Sequence, residues 1–288
     1  MRIAIVHPYE KAKWTESVQW DGLHAALERI ADEHTVDWYL QKEEPDDSYD
    51  WILPWGVGSL PFNNTIERYK ARKALLCAGH PQDQANFDKF EAIFVESPEV
   101  YDQIRRSGYR TVLAFGTDEL FYYNRKYREI IYDVFFPGTY SPWKRQNLLT
   151  AACRKWKVAT CGIVQPDGVG IYQDLEQAGG YVLTGLMPSR IVSYLYNMTR
   201  VVVVPAWHGS ERTVLEAMAS NTPLVLVKDN SLACSLVTDE VVLVDPTEEA
   251  IVEAVELALG RKVNTRKHIL KNYTSEIYAQ KILEVLEK

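Results

Sequence analysis

The run His208-Gly209-Ser210-Glu211-Arg212-Thr213-Val214-Leu215-Glu216 puts a histidine, an arginine and two glutamates within nine residues. It leads into the apolar Ala217-Met218-Ala219 and then the strand-like Leu224–Val227. A second run, Gly138-Thr139-Tyr140-Ser141-Pro142-Trp143-Lys144-Arg145, follows the apolar Asp133–Pro137 in the same way. Each reads as strand, glycine, helix start. A helix N-terminus carries partial positive charge, so a basic residue there costs roughly 0.3–1 kcal/mol. Ser141 as N-cap and Pro142 at the first helical position put Lys144 and Arg145 in a first turn. Ser210 as N-cap does the same for Arg212, softened by Glu211. A bound anion reverses the sign of both anomalies, because amides, dipole and cations then all attract it. Gly138 and Gly209 leave room for close backbone approach. A diphosphate fits that chemistry. The competing reading is that these cations face solvent.

Glu216 stands four residues after Arg212 and shares its helix face. It is either an ordinary ion-pair partner or a carboxylate that accepts two ribose hydroxyls, as acids do in other nucleotide sites. Glu211 points elsewhere. In the first half, His7, Trp14, Gly56 and Gly58 end or follow strands, and Trp14, Trp20 and Trp55 either stack on a sugar ring or pack in a core.

The elements that must position these residues alternate. Strands are expected at 2–6, 35–40, 50–55, 73–79, 91–97, 110–116, 133–137, 157–163, 181–185, 201–206, 224–227 and 241–244. Helices are expected at 18–31, 65–72, 100–107, 142–156, 174–178, 190–197, 211–220, 248–260 and 275–287. Apolar runs of four to six residues between helices argue for parallel sheets. The rhythm breaks at 119–132, where the aromatic and charged ELFYYNRKYREIIY suggests a hinge between two halves. Such sheets bind ligands at the carboxyl ends of their strands.

The composition agrees with a globular protein: 288 residues, 47% hydrophobic, 25% charged, net charge −7. An acidic chain is a poor general nucleic-acid binder. Cys77, Cys153, Cys161 and Cys234 show no C-x-x-C spacing, so reduced thiols in a cytoplasmic protein are expected. No stretch has the length of a membrane span. The basic stretch Lys144–Lys157 is a solvated face or a contact with an anionic membrane. No G-x-G-x-x-G follows the first strand, which argues against a dinucleotide dehydrogenase.

The stretch "SERTVLEAMASNTPLVLV" resembles the signature of retaining GT-B glycosyltransferases of family 4, the glycosyl transferases group 1 class. "FFPGTYSPWKRQNLLTAA", "EAIFVESPEVYDQIRRSGYRTVLAFGTDELF" and "MPSRIVSYLYNMTRVVVVPAW" are similar to other segments of that family, in the same order, over about residues 75 to 227. "FPGTYSPWKR" is also similar to CgeB-like glycosyltransferases. The resemblance implies an α/β fold of GT-B architecture, with two Rossmann-like parallel-sheet domains facing across a cleft. Residues 1–130 would be the acceptor side and 131–272 the donor side, with a helix at 273–288 packing back on the first domain. It implies transfer of a hexose, with retention, from a nucleoside-diphosphate sugar, UDP most often, to a hydroxyl of a glycan, lipid or small molecule. No metal and no cofactor are implied.

Residue by residue, the resemblance makes Glu216 the ribose carboxylate and Arg145 the phosphate cation, with Lys144 beside it. Thr139 stands where many members carry a second phosphate-binding arginine. His208 stands where the first glutamate of the E-x7-E pair faces the donor sugar, and Glu211 is the candidate to replace it. Asn221 replaces a glycine as a left-handed cap. Gly185 and Met187 belong to the loop that edges the base. Gly138, Gly209, Ser210, Arg212 and Thr213 complete the expected donor site. His80 matches a histidine near the transferred sugar, although a histidine before proline also simply ends a strand. The alternatives are a nucleotide-sugar epimerase of the same fold and a non-catalytic binding module.

Overall fold

The computed structural model describes residues 1–8, 20–40, 43–56, 65–77, 86–126 and 129–288. His80, Trp14 and Gly58 lie outside the described residues. The described residues of Met1–Lys13, Gly22–Gly116 and Ser275–Lys288 form one compact unit, and those of Trp14–Asp21 and Thr117–Thr274 form another. No described helix is long and apolar enough to cross a membrane.

The first unit is built on β1 (Arg2–His7), β2 (Thr35–Leu40), β3 (Trp51–Pro54), β4 (Arg72–Cys77), β5 (Ala92–Val95) and β6 (Thr111–Leu113). These six strands lie in the order β2-β1-β3-β4-β5-β6, all neighbours parallel. β1 and β3 are buried along almost their whole length, which is why they read as continuous apolar runs. Helix Gly22–Ala31 buries Leu23, Leu27 and Ile30 as its spacing requires. Helix Ser275–Leu286 packs in the same core, and the Trp51 indole donates to its Leu286 carbonyl at 2.9 Å. The helix expected at 65–72 is a single 3-10 turn, Ile66–Arg68. Tyr69 is already extended and the Arg72 amide donates to Asp50 O to open β4, so no further turn fits.

The second unit holds β7 (Tyr132–Pro137), β8 (Val158–Gly162), β9 (Tyr181–Thr184), β10 (Thr199–Val204), β11 (Leu224–Val227) and β12 (Val242–Val244). Their order is β12-β11-β10-β7-β8-β9, again parallel throughout. The chain leaves β7 toward β8 and β9, then returns to β10 on β7's other side. That reversal opens a crevice at the carboxyl ends of β7 and β10, where such sheets take their ligands. Val201–Val204 and Val225–Val227 are fully buried between the helix layers. Asn221 has φ +57 and stops helix Glu211–Ala219 as a left-handed residue, as expected.

Two further features correct the sequence reading. The helix expected at 142–156 is broken into 3-10 turns at Pro142–Lys144 and Gln146–Leu149 and a short helix at Thr150–Cys153. The break is Arg145, at φ +50 and ψ +36. Gln146 explains it: its side chain is fully buried and its Nε2 donates to Gly138 O at 3.1 Å and Thr139 O at 2.8 Å. Turning Gln146 inward costs the helix its continuity, so Lys144 and Arg145 sit at no α-helix N-terminus.

The second correction is that the first expected helix starts only at Gly22. Trp20 and Asp21 belong to the second unit. The Trp20 amide donates to Ser189 Oγ at 2.8 Å and its indole to Asp118 Oδ2 at 2.7 Å. The neighbouring segment is pinned by Arg266, which donates to the carbonyls of Glu119 (2.7 Å), Tyr122 (2.9 Å) and Ala219 (2.7 Å).

Candidate functional site

A cavity of about 230 Å³ opens at the crevice of the second sheet. Its floor is three strand ends: Gly138 and Thr139 after β7, Gly162 and Ile163 at β8, and Gly185, Leu186 and Met187 after β9. Arg212, Thr213 and Glu216 face it from helix Glu211–Ala219, and Trp20 and Tyr122 close it. The glycines at 138 and 162 are there because a side chain would have no room. A Cβ on Gly162 would lie 2.2 Å from Gly138 O, and one on Gly138 would lie 2.9 Å from the Phe136 ring. The Gly138 amide donates to Cys161 O at 2.8 Å, which fixes the two strand ends together.

Beside the cavity, Gly209 and Ser210 both have positive φ, +71 and +76. Asn230, itself buried, holds this turn by donating to Ala206 O at 2.9 Å and Gly209 O at 2.8 Å. Ser210 occupies the N-cap position but does not cap with its side chain. Its Oγ accepts instead from Lys144 Nζ at 2.7 Å, and a Cβ on Gly209 would come within 2.8 Å of that same nitrogen. The two glycine junctions seen in the sequence are therefore joined by one ammonium. Burial lowers the Lys144 pKa to about 8, Glu211 opposing the shift and Arg212 adding to it. Glu211 is buried, and its Oε1 has no hydrogen-bond partner among the described residues.

Arg212 does not pair with Glu216. Its Nη1 donates to Asp21 Oδ2 at 2.6 Å. Glu216 accepts on Oε2 from the Tyr196 hydroxyl at 2.9 Å. Burial raises its carboxyl to about 7; Arg212 and the Tyr196 hydroxyl work against that shift, and Asp21 adds to it. The wall of the cavity thus carries a carboxylate near its titration point, which accepts hydroxyl hydrogen bonds when ionised.

Of the residues expected from sequence, Gly138, Thr139, Gly185, Met187, Arg212, Thr213 and Glu216 line this cavity, while Lys144, Gly209, Ser210 and Glu211 form the adjoining turn. Arg145 is not brought in. It pairs with Asp229 at 2.6 Å and lines a separate open cleft with Asn147, Asp167 and Asp174. His208 follows Trp207, ring to ring at 5.6 Å, and does not line the cavity. His7 is buried in the first unit, with the rings of Trp38 and Trp55 each 4.7 Å away. Sequence reasoning missed Asp21, Tyr122, Gln146, Tyr196 and Asn230. Only Asn230 left a readable signal, an asparagine before Ser231–Cys234, where it caps by accepting from the Ala233 amide.

The family described as "Glycosyl transferases group 1" matches residues 131–276, half of the chain. A search of curated proteins returned no match. Among solved structures, sucrose-phosphate synthase from Thermosynechococcus elongatus is similar with TM-score 0.75 and 15% identity, covering 100% of this chain and 98% of that one. HepE from Anabaena, in complex with UDP and glucose, gives TM-score 0.77 and 13% identity, covering 100% of both chains. The lipopolysaccharide outer core galactosyltransferase WaaB gives 0.65 and 11%, covering 100% of this chain and 99% of that one. At these identities the likeness is one of fold: the two six-stranded parallel sheets have the GT-B architecture.

Proposed function

The chain belongs to the glycosyl transferases group 1 family, and from that premise we propose that it transfers a hexose, with retention, from a nucleoside-diphosphate sugar held by its second unit. The observation that carries this reading is the joining of the two glycine junctions by Lys144 beside a cavity whose wall presents Glu216. Glu216 accepts the ribose hydroxyls. The apolar Ile163, Leu186 and Met187 border the base, and backbone groups of the loop after β9 read its edge.

The diphosphate lies at the amide end of helix Glu211–Ala219 and on the Lys144 ammonium. Charge on the leaving diphosphate is stabilised there by groups that are already oriented before the reaction. Lys144, not Arg145, supplies the cation. Glu211, with an unused buried oxygen, accepts from the donor sugar in place of the glutamate that His208 replaces. No metal or cofactor enters this scheme. The acceptor is a hydroxyl of a glycan, lipid or small molecule.

A thermal-shift panel of UDP-, GDP- and ADP-sugars tests the reading. A donor at 100 times its dissociation constant adds about 2.7 kcal/mol of stability. A panel in which no nucleotide raises the Tm, or in which Lys144→Ala and Glu216→Ala leave the shift intact, overturns it.

A further inference from the structure

Two buried phenols stand beside Glu216, and one of them donates to it. Tyr196, on helix Ser189–Asn197, is fully buried and donates to Oε2 at 2.9 Å. Tyr122 is equally buried and lines the cavity; its hydroxyl donates to Trp20 O at 3.3 Å and stands beside the same carboxylate. The two rings meet edge to face at 6.1 Å, and Tyr196 packs edge to face on Phe135 of β7 at 5.5 Å. Tyr122 is anchored independently through its carbonyl, which accepts from Arg266 at 2.9 Å. Phenylalanine would fill both ring sites. A buried hydroxyl is costly unless it is hydrogen-bonded, so one aimed at a carboxylate, with a second beside it, needs a reason.

The other groups facing Glu216 are Arg212 on its own helix, Asp21 from the Trp20 segment, and Cys161 of β8. Cys161 is a neutral thiol, since burial pushes it up to about 12. Burial and Asp21 favour the protonated acid. Arg212 and the phenols favour the ionised form. The distinction matters for recognition: an ionised carboxylate offers only acceptors, whereas a protonated one spends one oxygen as a donor.

We propose that Tyr196 is a positioning residue for Glu216, holding its carboxylate as a pure acceptor turned to the paired hydroxyls of a ribose. This rests on the reading of the cavity as the nucleotide site. Arg212 is already engaged by Asp21 and the Tyr122 hydroxyl by Trp20 O, so Tyr196 is the donor that remains to do this.

The test is carbon NMR of glutamate-labelled protein, with the Glu216 signal identified by its loss in Glu216→Gln, and UDP affinity measured over the same pH range. In Tyr196→Phe the Glu216 midpoint rises by about one pH unit. UDP affinity at pH 7 falls by up to about tenfold relative to the parent protein, and that gap closes at about pH 8.5, where Glu216 is ionised in both. A midpoint unchanged in folded Tyr196→Phe overturns the proposal. If Tyr196→Phe does not fold, Tyr196→Met, which also lacks the hydroxyl, is read the same way, with the same unchanged midpoint as the overturning result. A midpoint that rises while UDP affinity ignores it leaves the positioning role standing and removes the ribose reading.

Discussion

Arg212 reaches across to Asp21 at 2.6 Å, and not along its own helix to Glu216 one turn away. Asp21 is held by its neighbour Trp20, whose amide and indole are both hydrogen-bonded inside the unit. The pair therefore fixes a cation at the cavity wall and places a second negative charge near Glu216, which adds to the upward shift of that carboxyl. Asp21→Asn removes the repulsion and frees the guanidinium. The Glu216 pKa should fall below about 7, so nucleotide binding should persist to lower pH than in the parent protein. Calorimetric titration with UDP at pH 6 and pH 8 reads this directly: the ratio of the two affinities moves toward one. The stability cost should be within about 1 kcal/mol, since Arg212 is half exposed.

Lys144 gives the opposite pH limit. Its pKa, about 8 in the ligand-free protein, is low because burial disfavours the ammonium. A diphosphate needs the charged form. Affinity should decline as pH rises through about 8, and binding above that pH should take up a proton. Titrations at pH 8.5 in buffers of different ionisation enthalpy measure the uptake. Lys144→Ala should abolish it and weaken binding by at least about tenfold, the loss of one charge-assisted contact of roughly 1.5–3 kcal/mol. Together with Glu216, this predicts a bell-shaped profile between about 7 and 8.

Much of this was legible in the sequence for a physical reason. Strands buried on both faces must be apolar at every position, so VVVV and LVLV announce themselves. Asn221 and the glycines at 138 and 209 could be read because left-handed or crowded backbone admits few residue types. What stayed hidden depends on partners far along the chain. Asp21 meets Arg212 across 191 residues, and Tyr196 meets Glu216 from another helix. Helix periodicity carried no sign of Arg145's left-handed turn, because its cause is the inward side chain of Gln146. The short helix Arg266–Asn272 was missed because it buries only Ile269.

Gly162 offers a test of the cavity floor itself. Its added Cβ would sit 2.2 Å from a backbone oxygen, and backbone cannot swing aside as a side chain can. Gly162→Ala should separate β7's end from β8's, cost about 2 kcal/mol or more, and weaken nucleotide binding. Gly170→Ala is the matched control. It lies in helix Val169–Gln177 with nothing within 4 Å of an added Cβ, and should stabilise by roughly 0.5–1 kcal/mol. Denaturant melts of both variants check the pair.

Arg145 separates the sequence expectation from the structure most sharply. The broken helix turns its guanidinium to Asp229 and into the cleft beside Asp167 and Asp174, away from the Glu216 cavity. Arg145→Ala should therefore lose only a partly exposed ion pair, within about 1 kcal/mol, and leave nucleotide affinity within about twofold of the parent, a difference below about 0.5 kcal/mol. Lys144→Ala in the same assay should lose at least about tenfold, about 1.4 kcal/mol. If Arg145→Ala is instead the damaging substitution, the phosphate cation is Arg145 and its pairing with Asp229 must break when the donor binds.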